Sequence, residues 1–270
     1  MSETLSDPTS LSERKITVNF NLALQIWIRN LLVFKKTYLI SVFWIFLEPV
    51  FILGALGYGL GAYVSSIDGV PYVDFFFPAL LCNSSMMVAF FASTYDHFSK
   101  LTHQRLYEVQ AMTPIEPIEI VLGEVLWAAT KGTLSAIAIM VIGSALGLVN
   151  SWTAVPVIGF VLLNSLVFAS LGMVITTYVR NFDQIIYPTS GLIIPMSLFS
   201  GTYFPIPHLK FSLQNLAYLF PLTHSVEAAR HLLVDKRFEF SMIYNFIFLI
   251  LLVVILVRWA AIRLTNRLQR

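Results

Sequence analysis

Residues 154–178 read AVPVIGFVLLNSLVFASLGMVITTY, a run of 25 residues without an acidic or basic side chain. A helix needs about 20 apolar residues to cross a bilayer core that is about 30 Å thick. Because no water is available there, the backbone must satisfy its own hydrogen bonds, and a helix does so within one segment. The run therefore predicts a transmembrane helix.

The composition of the whole chain agrees with this prediction. Of the 270 residues, 57% are hydrophobic and 12% are charged, about half of the roughly 25% that is typical of soluble domains. Such a chain is too apolar for a soluble globule and for a disordered protein. Its single cysteine, Cys82, excludes a disulfide scaffold. The net charge of +2 gives no indication of a nucleic-acid partner, and we expect none.

Five further stretches are long and apolar enough to cross a membrane. They are residues 39–61, 75–95, 120–148, 185–204 and 240–262. The sequence therefore predicts an all-α polytopic membrane protein with six transmembrane helices. The first fifteen residues are polar and the apolar stretches are too long for a signal peptide, so we expect no cleaved leader. We expect residues 1–19 to form a polar cytoplasmic N-terminus and residues 20–270 to form the membrane domain.

Two more segments have helical patterns but do not suit the membrane core. Residues 20–36 place apolar side chains on one face and basic and amide side chains on the other, which predicts an amphipathic helix at the cytoplasmic interface. The alternative is a first transmembrane helix, although Arg29, Lys35 and Lys36 interrupt it. Residues 206–235 are mixed in polarity and contain Pro207 and Pro221, which predicts short re-entrant helices at the outer interface.

The distribution of Lys and Arg predicts the orientation, because cytoplasmic loops carry an excess of these residues. With six spans, the basic residues outside the spans divide into a larger and a smaller group. The larger group is Arg14, Lys15, Arg29, Lys35, Lys36, Lys100, Arg105, Arg180, Arg263, Arg267 and Arg270, and the smaller is Lys210, Arg230, Lys236 and Arg237. We therefore expect both termini to be cytoplasmic.

Sequence signatures of catalysis are weak in this chain. It has no GxxxxGK[ST] phosphate loop, so we do not expect it to hydrolyse ATP by itself. His224, Glu227 and His231 could share a helix face, and two histidines with a carboxylate can hold zinc. Their spacing lacks the HExxH arrangement, and the alternative is a set of polar residues at a wet interface. We expect no metal site.

Three ionisable residues fall inside predicted spans, where a charge costs several kcal/mol. Glu48 lies in the first span, and Glu124 and Lys131 lie on one face of the third. These residues could line a polar pathway or brace a helix interface. Both readings stay open for Glu48, whereas bracing is favoured for Glu124.

The connection between the second and third spans is the best functional lead. Residues 97–114 have a polar helical pattern that ends at a proline, as helices often do. Phe98, Leu101, Val109 and Met112 are spaced to form an apolar stripe. We interpret this segment as a lever that docks on a cytoplasmic partner, the alternative being a solvated loop.

Four motifs give the chain a family resemblance. They are EPVFILGALGYGLG at 48–61, QRLYEVQAMTPIEPIEIVLGE at 104–124, FSGTYFP at 199–205 and FPLTHSVEAAR at 220–230. With them, the chain from about residue 20 onward resembles the membrane subunits of type-2 ATP-binding-cassette (ABC-2) exporters, and most of all the nodulation protein J group and the daunorubicin-type permeases.

The resemblance implies a transporter of two permease copies and two separate ATPase subunits, with ATP and Mg²⁺ bound by the ATPase and no cofactor on this chain. It makes the segment between spans two and three a coupling helix, and residues 199–230 an external gate, with Glu48 near the pathway. The implied coupling residues are Leu101, Arg105, Tyr107, Glu108, Met112, Thr113 and Pro114. The implied gate residues are Phe199, Gly201, Tyr203, Phe204, Pro221, His224, Glu227 and Arg230.

The resemblance also bears on cargo and location. Nodulation-type members export lipo-oligosaccharides, and relatives move other glycans or hydrophobic drugs from the inner membrane of bacteria. Aromatic side chains that could stack on sugars are Phe75, Phe76, Phe77, Tyr203 and Phe204. We therefore expect a lipid-linked oligosaccharide or a similar amphiphile, with a hydrophobic drug as the alternative. Two other classes remain open, namely a metal-dependent membrane enzyme and a passive channel.

Overall fold

The computed structural model describes residues 19–36, 38, 43, 47, 49–64 and 66–269, and this part of the chain is mostly helical. The helices are α1 (Phe20–Lys36), α2 (Pro49–Ala62), α3 (Tyr72–His103), α4 (Leu106–Ala111), α5 (Pro117–Ala145), α6 (Ala154–Tyr178), α7 (Ile186–Pro188), α8 (Ile194–Phe199), α9 (Phe211–Leu219), α10 (Pro221–Leu233) and α11 (Ser241–Leu268). The strands β1 (Ser66–Ile67) and β2 (Val70–Pro71) form one antiparallel hairpin.

The β-hairpin turns through Asp68 and Gly69, whose φ angles are +50° and +82°. A two-residue hairpin turn favours positive φ at both positions, and Asp-Gly is one of the sequences best suited to it. The hairpin therefore leads directly from α2 into the first turn of α3.

Four helices in the described part of the chain are long and apolar enough to cross a membrane, namely α3, α5, α6 and α11. They correspond to the second, third, fourth and sixth predicted spans. Helix α6 has the bounds that its sequence predicts, while α3 extends eight residues beyond the predicted end at residue 95. The alternating directions follow from cross-helix contacts, since α5 runs opposite to α3, α6 and α11.

The described parts of the other two predicted spans do not form long regular helices. Most of residues 39–48, including Glu48, lie outside the described residues, and α2 is a shorter apolar helix of 14 residues. Residues 182–199 form four short helical segments in succession. A 3-10 helix at Phe182–Ile185 is followed by α7, a π-helix at Thr189–Ile193 and α8. Pro188 and Pro195 remove backbone donors there, which breaks the helical ladder.

The two ends of the bundle are defined by their short helices. The α1 end holds the C-terminal parts of α3, α6 and α11 together with the start of α5, and the α10 end holds the opposite termini. Residues 182–199 lead from the first to the second, because Phe182 contacts Phe98 near the end of α3, whereas the carbonyl of Gly201 binds Arg230 of α10.

Small and hydroxylated residues hold the long helices together. A Cβ atom on Gly132 of α5 would lie 2.6 Å from the carbonyl oxygen of Ser85 in α3, so only glycine permits this approach. Asn164 of α6 donates to the carbonyl of Cys82 at 2.9 Å and to the hydroxyl of Ser85 at 2.8 Å. Close packing and interhelical hydrogen bonds of this kind are what stabilise helices in a lipid environment, where the hydrophobic effect offers no preference between partners.

The predicted N-terminal helix is confirmed as α1, with the bounds 20–36. It lies across α5, and a Cβ atom on Gly123 of α5 would lie 2.6 Å from the carbonyl oxygen of Ala23. Glu119 joins the starts of both helices, because its carboxylate accepts the backbone N–H groups of Asn19 and Glu116, each at 2.9 Å. Helix α1 is thus tied to the third predicted span.

The predicted single helix over 97–114 is wrong. Helix α3 continues to His103. The helical conformation is interrupted at Arg105, which has a φ of +46°, and the short helix α4 follows. The helix continues beyond residue 97 because Phe98 and Leu101 are buried among the helices. Arg105 ends it, since the left-handed conformation cannot be part of a right-handed helix.

Short helices over residues 206–235 are confirmed. They are a 3-10 turn at Ile206–His208 followed by α9 and α10. Pro221 lies at the first position of α10. The backbone N–H of any residue at that position lacks an intrahelical acceptor, so a proline, which has no N–H, is tolerated there. These helices cover the α10 end.

Candidate functional site

The carboxylate of Glu124 in α5 is fully buried and receives four polar contacts from two other helices. Its Oε1 lies 2.9 Å from Nη2 of Arg29. Its Oε2 lies 2.6 Å from Nζ of Lys100, 2.9 Å from Nδ2 of Asn30 and 3.3 Å from Nε2 of His97. We call these five residues the Glu124 cluster.

The Glu124 cluster is assembled from α1, the last turns of α3 and the first third of α5. Arg29 and Asn30 are neighbours in α1, and a hydrogen bond of 3.0 Å from Arg29 to the Asn30 side-chain oxygen holds them together. His97 and Lys100 are three residues apart and therefore share one face of α3. A buried carboxylate is tolerated only when cations and donors surround it. The cluster therefore ties these three helices together at one buried point.

A second ion pair joins the same two long helices one level further into the bundle. Lys131 Nζ in α5 lies 2.5 Å from Oδ2 of Asp96 in α3, and 5.6 Å from the centre of the Trp127 ring. Lys131 therefore pairs with Asp96, and not with Glu124. The structure places both intramembrane charges of α5 in contacts that brace α5 against α3.

The segment between Arg105 and Pro114 presents a mixed surface beside the Glu124 cluster. Exposed residues of this segment are Arg105, Glu108, Val109, Met112, Thr113 and Pro114, and Met112 is 85% exposed. Leu101 and Tyr107, which the resemblance includes among the coupling residues, are buried instead. Burial raises the pKa of the Tyr107 phenol well above its ordinary value. These two side chains therefore pack beneath the exposed residues of the segment.

At the α10 end, Arg230 forms a second buried polar site. Its Nη2 donates to the carbonyl of Gly201 at 2.8 Å and to that of Phe75 at 3.4 Å, and its guanidinium carbon lies 3.9 Å from the centre of the Phe75 ring. Burial lowers the pKa of the guanidinium to about 10, so the side chain stays charged at neutral pH. Gly201 has a φ of +74°, which glycine adopts without strain. Arg230 thus ties α10 to the loop before residue 206 and to α3.

The other residues predicted for this end are divided between the core and the surface. Tyr203 stacks on Phe76 with ring centres 5.8 Å apart and, like Phe199 and Phe204, is half-buried. Pro221 is buried at the start of α10.

Two of the three candidate zinc ligands, His224 and His231, contact different partners. His224 contacts Asn245 Oδ1 at 2.8 Å and the Tyr218 carbonyl at 3.0 Å, whereas His231 contacts Asp235 at 2.7 Å. No group of three or more histidine, cysteine, aspartate or glutamate residues suited to a metal ion occurs in residues 19–269, as far as they are described. The geometry therefore gives no support to a zinc enzyme.

Comparisons with known proteins now decide the family. The ABC-2 type transporter profile matches residues 21–234, which is most of the chain and includes both buried sites. This chain belongs to the ABC-2 type transporter family. It is similar to nodulation protein J of Sinorhizobium fredii (strain NBRC 101917 / NGR234), with 35% identity over 215 residues, 78% of this chain and 80% of the relative. Nodulation protein J of Rhizobium leguminosarum bv. viciae is 35% identical over 207 residues, 77% of this chain and 80% of the relative.

A more distant relative has a permease name. The inner membrane transport permease YadH of Escherichia coli (strain K12) is 22% identical over 178 residues, 64% of this chain and 67% of the relative. The resemblance inferred from four motifs is thereby confirmed, and the chain is an ABC-2 permease of an ABC exporter. Permeases of this family work with ABC ATPase subunits in a membrane transporter.

Sequence reasoning about this ABC-2 permease missed most of the Glu124 cluster. From the sequence, Arg29 and Lys100 enter only the prediction of orientation and the helical patterns of their segments, and nothing singles out Asn30 or His97 as a partner of Glu124. Their separations from Glu124 along the chain, 95 residues for Arg29 and 24 for Lys100, carry no signal of contact. The one usable signal was the ionisable residue in an apolar span, which requires a partner somewhere.

The structure corrects the prediction that all five aromatic residues could stack on sugars. Phe75, Phe76 and Phe77 are buried within the chain, where Phe76 packs between Tyr72 and Tyr203. They stabilise the α10 end and offer no free ring face. Only Tyr203 and Phe204 of the five retain partial exposure.

Proposed function

We propose that this ABC-2 permease moves an amphiphile, such as a lipid-linked oligosaccharide, across a bacterial inner membrane as one of two copies driven by two ATPase subunits. Residues 39–61 and 185–204 complete six membrane crossings, and both termini are cytoplasmic in this proposal. ATP and Mg²⁺ belong to the ATPase subunits. The proposed class of cargo rests on the resemblance to the nodulation protein J group, two members of which are 35% identical to this chain.

One observation carries the mechanism, namely that the exposed segment 105–114 follows directly on the turn of α3 that enters the Glu124 cluster. Lys100 lies five residues before the break at Arg105, and its ammonium contacts Glu124 at 2.6 Å. A partner that displaces the segment therefore moves the end of α3. Because the cluster also binds α1 and α5, these helices would move with α3 as one rigid body.

The second step links this movement to a pathway. A transporter without its own nucleotide site can use ATP only if the partner binds differently to two arrangements of the spans. Lys131–Asp96 and the Glu124 cluster keep α5 and α3 in fixed register, so both helices would rotate or shift together against neighbouring segments. Residues 182–199, with their broken helical turns, are suited to absorb such a shift.

The test is reconstitution of the tagged permease with the ATPase that copurifies from its own membranes. Native mass spectrometry should find two permease chains and two ATPase chains. Proteoliposomes should translocate a fluorescent lipid-linked oligosaccharide with ATP, and should not do so with an ATPase variant that lacks its catalytic glutamate. Transport of a hydrophobic dye alone would refute the proposed cargo, and ion current without ATP would refute the transporter mechanism.

A further inference from the structure

A basic groove of about 690 Å³ lies at the α1 end between the C-terminal turns of α6 and α11. Arg180 borders it from the residues after α6, and Arg263 and Arg267 border it from α11. Tyr178 and Asn266 also line it. We call this feature the arginine groove, and none of its described lining residues is acidic.

Among the described residues, no acidic side chain pairs with the arginines of the arginine groove. Arg29, Lys100 and Lys131 all form ion pairs, whereas Arg180, Arg263 and Arg267 form none in the part of the chain that the structure describes. Arg267 donates to the carbonyls of Thr176 at 2.7 Å and Val179 at 3.0 Å, and Arg263 lies 4.0 Å from the centre of the Tyr178 ring. Neutral partners thus hold these two guanidinium groups in place.

An acidic residue borders an adjoining depression. Glu108 of α4 and Arg267 border an adjoining groove of about 480 Å³, but the two side chains do not form an ion pair. An anion in the arginine groove would therefore meet three guanidinium groups and no carboxylate from the lining residues that the structure describes.

Apolar surface begins immediately beside the arginine groove. On α11, Trp259 is 46% exposed and Ile262 is 60% exposed, and Ile255 lies exposed one turn earlier than Trp259. Aromatic rings and arginine at the end of a long apolar helix are typical of the level of lipid head groups. A ligand in the groove could therefore hold its charge against the arginines and its hydrocarbon against α11.

We propose that the arginine groove binds the phosphate of an anionic phospholipid from the leaflet at the α1 end. Guanidinium groups bind phosphate oxygens through paired N–H donors, and basic pockets between transmembrane helices bind lipid head groups. Free inorganic phosphate shares this charge chemistry, but it lacks the hydrocarbon that would cover Trp259 and Ile262. In this proposal the bound phospholipid is a component of the membrane and not the exported cargo.

The experiment is lipid titration of the purified permease followed by native mass spectrometry, with phosphatidylglycerol and phosphatidylcholine as probes. The test variant is Arg180→Gln with Arg263→Gln, and Arg267 is left intact because it caps α6. The control is Arg237→Gln, which removes an exposed arginine at the other end of the bundle. We expect the test variant to lose phosphatidylglycerol affinity by about fivefold for each arginine removed, with no change in phosphatidylcholine binding.

A Lys-for-Arg version of the double variant should retain most of the binding, since it keeps the charge. Equal phosphatidylglycerol affinity in the wild type and the Gln variant would overturn the proposal. So would displacement of the lipid by millimolar inorganic phosphate, which would indicate a free-anion site. Unchanged lipid binding together with loss of the copurifying ATPase would assign the groove to the ATPase and overturn the proposal as well.

Discussion

Replacement of Glu124 by Gln tests the central contact of the bundle. The amide keeps the shape of the side chain and removes its charge, so that Arg29 and Lys100 face a neutral group in a site where Glu124 is fully buried. Removal of one partner from a buried ion pair costs about 3–5 kcal/mol. Arg29 is about one third exposed at its side chain, and it can recover some hydration. We therefore expect a loss near the lower end, about 3 kcal/mol.

The assay measures stability and coupling separately. Stability in detergent can be followed by the urea concentration at which near-UV circular dichroism is lost, and coupling by the cargo moved per ATP hydrolysed in proteoliposomes. Asp96→Asn is the matched control, because it also breaks an ion pair between α3 and α5 but leaves α1 and the Glu124 cluster intact. We expect Glu124→Gln to lower the ratio of transport to hydrolysis severalfold, and Asp96→Asn to change it less.

A second substitution checks the cause. Lys100→Met added to Glu124→Gln removes the cation that has lost its partner, so the double variant should recover about 1–3 kcal/mol relative to the sum of the single changes. If Glu124→Gln unfolds at the same urea concentration as the wild type, the buried charge network is not what stabilises this end. If both single carboxylate variants lose coupling equally, the Glu124 cluster has no special role in transmission.

Three further changes probe the other contacts. Gly123→Ala places a Cβ atom 2.6 Å from the carbonyl oxygen of Ala23. It should destabilise the protein by about 1–3 kcal/mol and increase the rate of trypsin cleavage in α1. An unchanged cleavage rate would contradict this packing. Arg230→Lys keeps the charge but loses the planar guanidinium, whose Nη2 donates to two carbonyls and which lies over the Phe75 ring. The free energy of unfolding should fall by about 1–3 kcal/mol and lower the urea midpoint; a wild-type midpoint would show that the guanidinium is dispensable. Met112→Asp should reduce ATPase copurification about tenfold, because this side chain is exposed. Tyr107→Phe is the control and should have no such effect, since the Tyr107 hydroxyl is buried without a hydrogen-bond partner in the described residues. Equal effects of the two substitutions would refute Met112 as a contact.

The sequence predicted the long helices well because their signal is local. Residues 154–178 show it most clearly, since both the apolar run and the helix α6 begin and end at the same residues. The length of α3 was underestimated because residues 96–103 are polar by composition, yet Phe98 and Leu101 find burial against other segments. The interruption at Arg105 was not predictable, because neither a glycine nor a proline occupies the position where the chain turns.

The candidate sites were less predictable because they are built from distant residues. The motif at 220–230 indicated that Arg230 matters, but its partners Gly201 and Phe75 come from two other segments. In the same way, the apolar setting of Glu124 requires partners without naming them. A single sequence reports which side chains need compensation, and the fold decides which residues supply it.

Helix α3 connects the two buried charge sites, which places a constraint on any transport cycle. Its last turns hold Glu124 through His97 and Lys100, and its first turn supplies the carbonyl and the ring that hold Arg230. A shift of α3 along its axis would strain both sites at once, because the helix is continuous from Tyr72 to His103, with π-helical turns at Ala92–Asp96 and Ser99–His103. If segment 105–114 transmits a movement from an ATPase, the same helix would carry it to the loop at Gly201 through Arg230. The transport cycle proposed above therefore requires that loosening Arg230 changes the ATPase response at the opposite end, which no local docking scheme would require.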